Sequence, residues 1–199
     1  MQGTSLIHFE QIPYIFPTKM DWVFFSSKKG IQFFLQNKEQ KHLLAEAVGN
    51  GLKLAAIAPA TAKYLKEVVG LLADFVGSAH SVDDTAQAFL LIAQNQTIVF
   101  PQGQYSKQSI QKAIKGQTQI ENLIVYQNTP HYQEIPKTDV AVFTSPLNVE
   151  AFVQKNDLHT IERVVAIGPT TAEALIEVGQ TAAVMPFAFD ELHLSMVCY

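Results

Sequence analysis

The chain has 199 residues, 48% of them hydrophobic and 16% charged, which excludes a disordered polymer and fits one large or two small globular domains, each with a modest core. Its 14 basic and 18 acidic side chains give a net charge of −4 with no Lys/Arg block, and Arg163 is the sole arginine, so a nucleic-acid partner is not expected. Cys198 is the sole cysteine, which excludes an intrachain disulfide and fits a reducing cytoplasm; with no leader after Met1 and no long apolar run, neither secretion nor a membrane span is expected.

Residues 4–9 read as a short strand, followed by a connecting stretch flanked by Pro13 and Pro17. Trp22-Val-Phe-Phe25 predicts a buried strand; Ile31, Phe34 and Leu35 then recur at helical spacing, with Ser27 placed to cap that helix. Residues 39–48 predict a second helix ended by Gly49-Asn50-Gly51, and residues 52–57 a strand. Pro59-Ala60-Thr61 opens a helix reaching Val69, and residues 82–93 predict another, capped by Ser81 or Asp83. A strand over 96–100 runs into a turn at Pro101-Gln102-Gly103, then a helix over 107–114 and a strand over 121–126. Residues 129–137, with Pro130 and Pro136, read as a linker. Strands at 140–143, 163–167 and 180–184 then alternate with helices at 147–154, 170–178 and 189–197. Alternation of this kind predicts an α/β fold with parallel sheets covered on both faces.

The chain nearly repeats itself. Residues 21–36 align without gaps on residues 139–154, with identities at Asp21/Asp139, Phe25/Phe143, Ser27/Ser145, Phe34/Phe152 and Gln36/Gln154. A second pair follows in the same order, Leu54–Val68 on Val164–Val178. Internal similarity at this long period predicts two related domains, and clefts between domains are favoured ligand sites. In both copies a buried strand ends in a small hydroxyl residue or a Gly/Pro turn, and a helix starts there. That edge of an α/β sheet is where ligands bind, and free N–H groups at helix starts suit anions such as carboxylates.

Phe143-Thr-Ser-Pro-Leu-Asn-Val149 and Ala166-Ile-Gly-Pro-Thr-Thr-Ala-Glu-Ala-Leu175 resemble the signature segments of the uroporphyrinogen-III synthase family. Val99–Gly103 is similar to that family's strand-to-turn segment, and Ile124–Gln127 to the segment where its chain returns to the first domain. The resemblance runs from about residue 4 to residue 192. It implies two pseudo-equivalent, flavodoxin-like α/β domains with parallel sheets, joined by a two-stranded linker. Residues 13–125 would be an inserted domain; residues 1–12 and 126–199 would form a split one, apparently lacking its opening strand–helix unit. Two positions and one segment depart from the family pattern: Ala58 where glycine is frequent, Gln102 where a basic residue is common, and Lys28-Lys29-Gly30 in place of a small or Pro-led sequence.

The reaction implied by the resemblance cyclises hydroxymethylbilane, a linear tetrapyrrole with eight carboxylates, to uroporphyrinogen III with loss of water and inversion of the last ring. It implies a monomer with no metal or organic cofactor, and the upstream hydroxymethylbilane synthase as a candidate partner. Tyr126 matches the family's tyrosine beside the return linker, where a phenol could help hydroxide depart; the plain alternative is a strand-ending tyrosine with its hydroxyl in water. Ser27 and Ser145, and Thr61, Thr170 and Thr171 in the matched helix starts, are candidates for binding carboxylates, or simply cap their helices. Gly168 would let backbone approach substrate closely, or simply serve a tight turn. The histidines form no metal-ligand spacing, and no dinucleotide or P-loop motif occurs. A non-catalytic tetrapyrrole- or polyanion-binding module of the same fold is the competing expectation. A regulatory receiver domain would need clustered acidic residues after its strands, where this chain carries Ser, Thr, Gly and Pro.

Overall fold

The computed structural model describes residues 4–78, 81–180 and the backbone of 183–184. The chain divides into two compact units, Glu10–Gln127 and Met1–Phe9 with Asn128–Tyr199.

The larger unit holds most of a six-stranded sheet, of which Ile7–Phe9 and Asn128–Pro130 are counted with the smaller unit. Its strands are β1 (Ile7–Gln11), β2 (Trp22–Phe25), β3 (Lys53–Ala56), β4 (Phe75–Val76), β5 (Thr97–Gly103) and β6 (Gln119–Pro130), in the spatial order β1-β6-β5-β2-β3-β4. All four residues of β2 are buried, so both faces of the sheet are covered at its centre. Five strands run parallel. The edge strand β1 does not: Ile12 N–H donates to Val125 C=O and His131 N–H to Leu6 C=O, a descending register that makes β1 antiparallel to β6. The expected all-parallel sheet is therefore corrected at this edge.

Helices α1 (Lys28–Phe34), α2 (Lys38–Gly49), α3 (Pro59–Val69), α4 (Val82–Ala93) and α5 (Ser109–Ile114) connect the parallel strands. Local chemistry sets their ends. Ser27 and Ser81 cap α1 and α4 through the N–H groups of Gly30 and Asp84. Asn37 and Gln40 form a reciprocal capping box on α2. Pro59 starts α3, and Gly70, at φ 77°, ends it in the left-handed conformation. The core gathers on the face under α4 and α5, where the Phe89 ring stands edge-on to Trp22 and Phe24 at 5.1 and 5.0 Å between centroids.

Taken in chain order, the five parallel strands lie third-second-first-fourth-fifth. The flavodoxin-like expectation requires the third strand beside the first, and here it is the outermost. Burial explains the difference. β4 has two residues, one exposed and one half-buried, which only an edge tolerates, whereas Ile98, Val99 and Phe100 of β5 are fully buried beside β2. The turn expected at Pro101–Gly103 is likewise corrected, because β5 continues through it. The β2–β5 ladder ends at Val23 opposite Val99, so the N–H that Pro101 lacks has no partner to serve on that side. β6 similarly runs to Pro130, into the stretch expected to be linker.

The smaller unit contains a parallel sheet of β7 (Val140–Phe143), β8 (Arg163–Ala166) and β9 (Ala183–Val184), in that order, among the described residues. α6 (Pro146–Val153) and a 3₁₀ turn at Leu158–Thr160 join β7 to β8, and α7 (Pro169–Glu177) follows β8. Leu6, from the start of the described chain, packs in its core with Phe143, Phe152, Leu158, Val164 and Leu175. The helix expected over 189–197 lies outside the described residues.

The internal repeat is present in three dimensions. Phe25 lies opposite Ala56, and Phe143 opposite Ala166, so both aligned pairs of strands share one register. Lys53 N–H donates to Asp21 C=O at 3.0 Å, and Arg163 N–H to Asp139 C=O at 2.9 Å. Ser27 and Ser145 have the same backbone, φ −161° and ψ 157°.

Candidate functional site

The chain leaves β2 towards β3 on one side, while β5 lies on the other. At the carboxyl ends of β2 and β5 the order therefore reverses, and crevices at such switch points are where open α/β sheets take ligands. The residues there are held by close approach. A Cβ on Gly30 would lie 2.5 Å from Pro101 C=O, so only glycine lets α1 start against the end of β5. Gly103 ends β5 and pairs with Tyr126 of β6 across a register shift.

Tyr126 is clamped on two sides. A Cβ on Gly103 would lie 2.6–2.9 Å from the Tyr126 Cζ, Cε2 and hydroxyl, so the end of the ring rests on bare glycine backbone. The Phe33 ring stacks on it with centroids 5.0 Å apart and planes 25° apart. Burial pushes the phenol above its ordinary pKa, and the Ser27 side chain acts against that rise by favouring the ionised form. At neutral pH Tyr126 is thus a protonated, half-buried donor. Lys29 brings positive charge nearby, its Nζ 5.9 Å from the Phe33 ring centroid.

Thr61 stands in the first turn of α3, after the strand next to β2. It is 6% exposed, and its N–H turns back to Ala58 C=O at 3.0 Å. No side chain caps α3 and Pro59 has no N–H, so Ala60 carries the first-turn donor not turned back on the cap residue. In the smaller unit Gly168 and Thr171 repeat this pattern on α7: Thr171 is 2% exposed, with its N–H on Gly168 C=O at 3.1 Å. Thr170 is exposed and occupies the position matching Ala60, where both its N–H and its hydroxyl stand at the helix start. Ser145 caps α6 and takes two donors from Asn148, its N–H at 3.3 Å and Nδ2 at 3.1 Å.

The structure therefore sets Ser27 at the end of β2, where it caps α1, and Ser145, Gly168, Thr170 and Thr171 at the ends of the neighbouring strands β7 and β8. Gly103 and Phe33, which fix the phenol, carry no signal in the sequence beyond a Pro-Gln-Gly turn pattern and an apolar helix position. Two family departures have physical readings. Ala58 is in extended backbone that any residue adopts, at φ −156° and ψ 162°. Gln102 is 1% exposed and accepts from Gln111 Nε2 at 2.7 Å, so it belongs to a buried amide network under α5.

Fold and site together define a doubly wound α/β protein with a held phenol and hydroxyl-lined helix starts at the edge where such sheets take small molecules. Among the described residues, no helix is long and apolar enough to cross a membrane. The family model described as Uroporphyrinogen-III synthase HemD matches residues 7–194. A curated uroporphyrinogen-III synthase of Chlorobaculum parvum is 27% identical over 201 residues, spanning 87% of this chain and 76% of that one. The solved uroporphyrinogen-III synthetase of Helicobacter pylori 26695 superposes with a TM-score of 0.72 at 16% identity, over 97% of this chain and 89% of its own. A mutant uroporphyrinogen III synthase of Thermus thermophilus gives 0.50 at 17% identity, over 96% and 84%. The two structural likenesses speak for the fold. The chain belongs to the uroporphyrinogen-III synthase family.

Proposed function

We propose that this chain cyclises hydroxymethylbilane to uroporphyrinogen III, a lyase reaction that loses water and inverts the last ring. The observation that carries the reading is the protonated phenol of Tyr126, seated on Gly103 and stacked on Phe33 beside the switch point of the sheet. The substrate loses a hydroxide, and a protonated phenol can give it a proton as it leaves. Unassisted closure yields the uninverted isomer, so the remaining work is conformational: holding reactive ends so that the wrong closure is disfavoured.

Ser27, Thr61, Ser145, Gly168, Thr170 and Thr171 are the proposed substrate-binding set, all at the carboxyl ends of parallel strands. Thr170 is the best placed to meet a carboxylate, being exposed at an uncapped helix start, while the buried Thr61 and Thr171 shape their first turns. We read residues 13–125 as an inserted domain and 1–12 with 126–199 as a split one. The division of contacts between residues 9 and 10, and again between 127 and 128, supports that reading.

The test is a coupled assay in which hydroxymethylbilane is generated in situ and oxidised porphyrin products are separated by isomer. The parent chain gives mainly type III product, and Tyr126→Phe lowers kcat by roughly 10²-fold, the lower end of what a positioned acid contributes. Type I product alone, from folded protein, would favour a binding-only role instead.

A further inference from the structure

We infer that Tyr105 is a further substrate-binding residue: its ring supplies a flat apolar face on which one pyrrole ring of the substrate lies, beside Tyr126. This rests on the reading of the chain as the synthase. β5 ends at Gly103, and the chain turns there, with Ser106 N–H donating to Gly103 C=O at 3.1 Å. Gly103 is the seat of the Tyr126 ring. Gln104, the next residue, donates its N–H to Tyr126 C=O at 2.9 Å. The turn is therefore tied to β6 at the phenol itself, and Tyr105 is the residue that follows. Its Cα lies two residues along the chain from that of Gly103, hence at most about 7 Å away.

At this place the structure leaves a large aromatic side chain 73% exposed. Among the described residues the Tyr105 side chain makes no hydrogen bond and no ring contact. A single exposed apolar side chain needs no explanation by itself. The position of this one does, because the exposed aromatic side chains among the described residues are Tyr105 and Tyr132, and Tyr132 belongs to the smaller unit. Loops that carry ligand contacts are held by a rigid scaffold in this way.

The chemistry of the substrate asks for such a face. Ser27, Thr61, Ser145, Gly168, Thr170 and Thr171 offer hydroxyls and backbone, which suit its carboxylates but not its flat rings. The Phe33 ring is engaged with Tyr126, centroids 5.0 Å apart. Tyr105 has a ring face to give. A tyrosine turns about only two side-chain bonds, so on a hydrogen-bonded turn it loses little freedom when a ring settles on it. Offset or edge-on pairing, at about 4.5–7 Å between centroids, is the favoured geometry. The contact is made to the open substrate and to the closing one alike, so it belongs to binding and not to the chemical step.

The test is the isomer-resolved assay with hydroxymethylbilane varied in concentration. Tyr105→Ala should raise KM by roughly 5- to 20-fold, the lower part of what stacking a flat ring on an aromatic side chain is worth. Its kcat should stay within about twofold of the parent. Tyr105→Phe keeps the ring and should keep the parent KM, whereas Tyr105→Leu, apolar but without an aromatic face, should recover only part of the loss. The side chain is exposed, so Tm should stay within about 2 °C of the parent in all three. A loss confined to kcat, a Tyr105→Phe chain as impaired as Tyr105→Ala, or a larger fall in Tm would overturn the inference, by pointing to the chemical step, the hydroxyl or packing. If the parent makes type III product and Tyr105→Ala keeps its KM, this inference fails and the synthase reading stands. If folded parent makes type I product alone, both fall.

Discussion

Replacing Gly103 by alanine tests whether the Tyr126 ring is fixed. The added Cβ would lie 2.6 Å from Cζ, 2.7 Å from Cε2 and 2.9 Å from the hydroxyl oxygen. Ordinary contact begins near 3.4 Å, so the end of the ring must retreat by about 0.8 Å. A long side chain could do this freely, but Tyr126 is stacked on Phe33, itself buried. Gly103 lies outside the left-handed region, so the backbone adds no strain of its own. Overpacking of this kind costs about 2 kcal/mol, which lowers Tm by roughly 4–8 °C. Moving a catalytic oxygen by close to 1 Å costs about 10²-fold in rate. The expected signature is a kcat loss comparable to that of Tyr126→Phe alongside a moderate fall in Tm, read by the isomer-resolved turnover assay and by calorimetry. A Gly103→Ala chain with parent kcat and parent Tm would refute the clamp, because the ring would then have room to yield.

Gly30→Ala should be harsher, costing about 3 kcal/mol by urea unfolding, since the obstacle at 2.5 Å is the Pro101 carbonyl and not a side chain. Gly49→Ala is the control: nothing lies within 4 Å of its Cβ and the residue is helical, so stability should rise by about 0.5–1 kcal/mol. Tyr14 donates to Phe34 C=O, and burial raises its pKa well above the ordinary value of 10.0. Its contribution to stability is therefore full below pH 10, where the unfolded phenol would begin to ionise, and is lost as pH rises further. Tyr14→Phe should flatten the fall in stability between pH 9 and 12; an unchanged slope would count against a buried, neutral Tyr14.

Much of this architecture is legible in single segments. Trp22–Phe25 reads as a central strand because four consecutive large apolar side chains have no solvent face to offer. The starts of α1, α3 and α4 are written in Ser27, Pro59 and Ser81, whose side chains or missing N–H act within one turn of their own position. What escapes local reading depends on residues far away in the chain. Pro101 looks like a turn until the ladder beside it is known to stop at Val99. Phe75-Val76 is too short to announce a strand, and its edge position follows only from where β5 goes. At the site, Tyr126 and Ser27 can be proposed separately, one from its strand and the other from its cap. The Phe33 stack and the Gly103 seat join Tyr126 to points up to 93 residues away, and no periodicity records them.

The antiparallel pairing of β1 with β6 also sets a timetable for synthesis. Leu6 bonds to His131, so β1 leaves the ribosome and must wait for another 125 residues before its partner exists. At a translation rate of 5–20 residues per second that is a delay of about 6–25 s. Through that interval β1 is an unpaired strand edge, open to mispairing or to a chaperone. The cost of building the sheet edge from both sides of so long an excursion is therefore kinetic, and it falls on the nascent chain before any substrate is met.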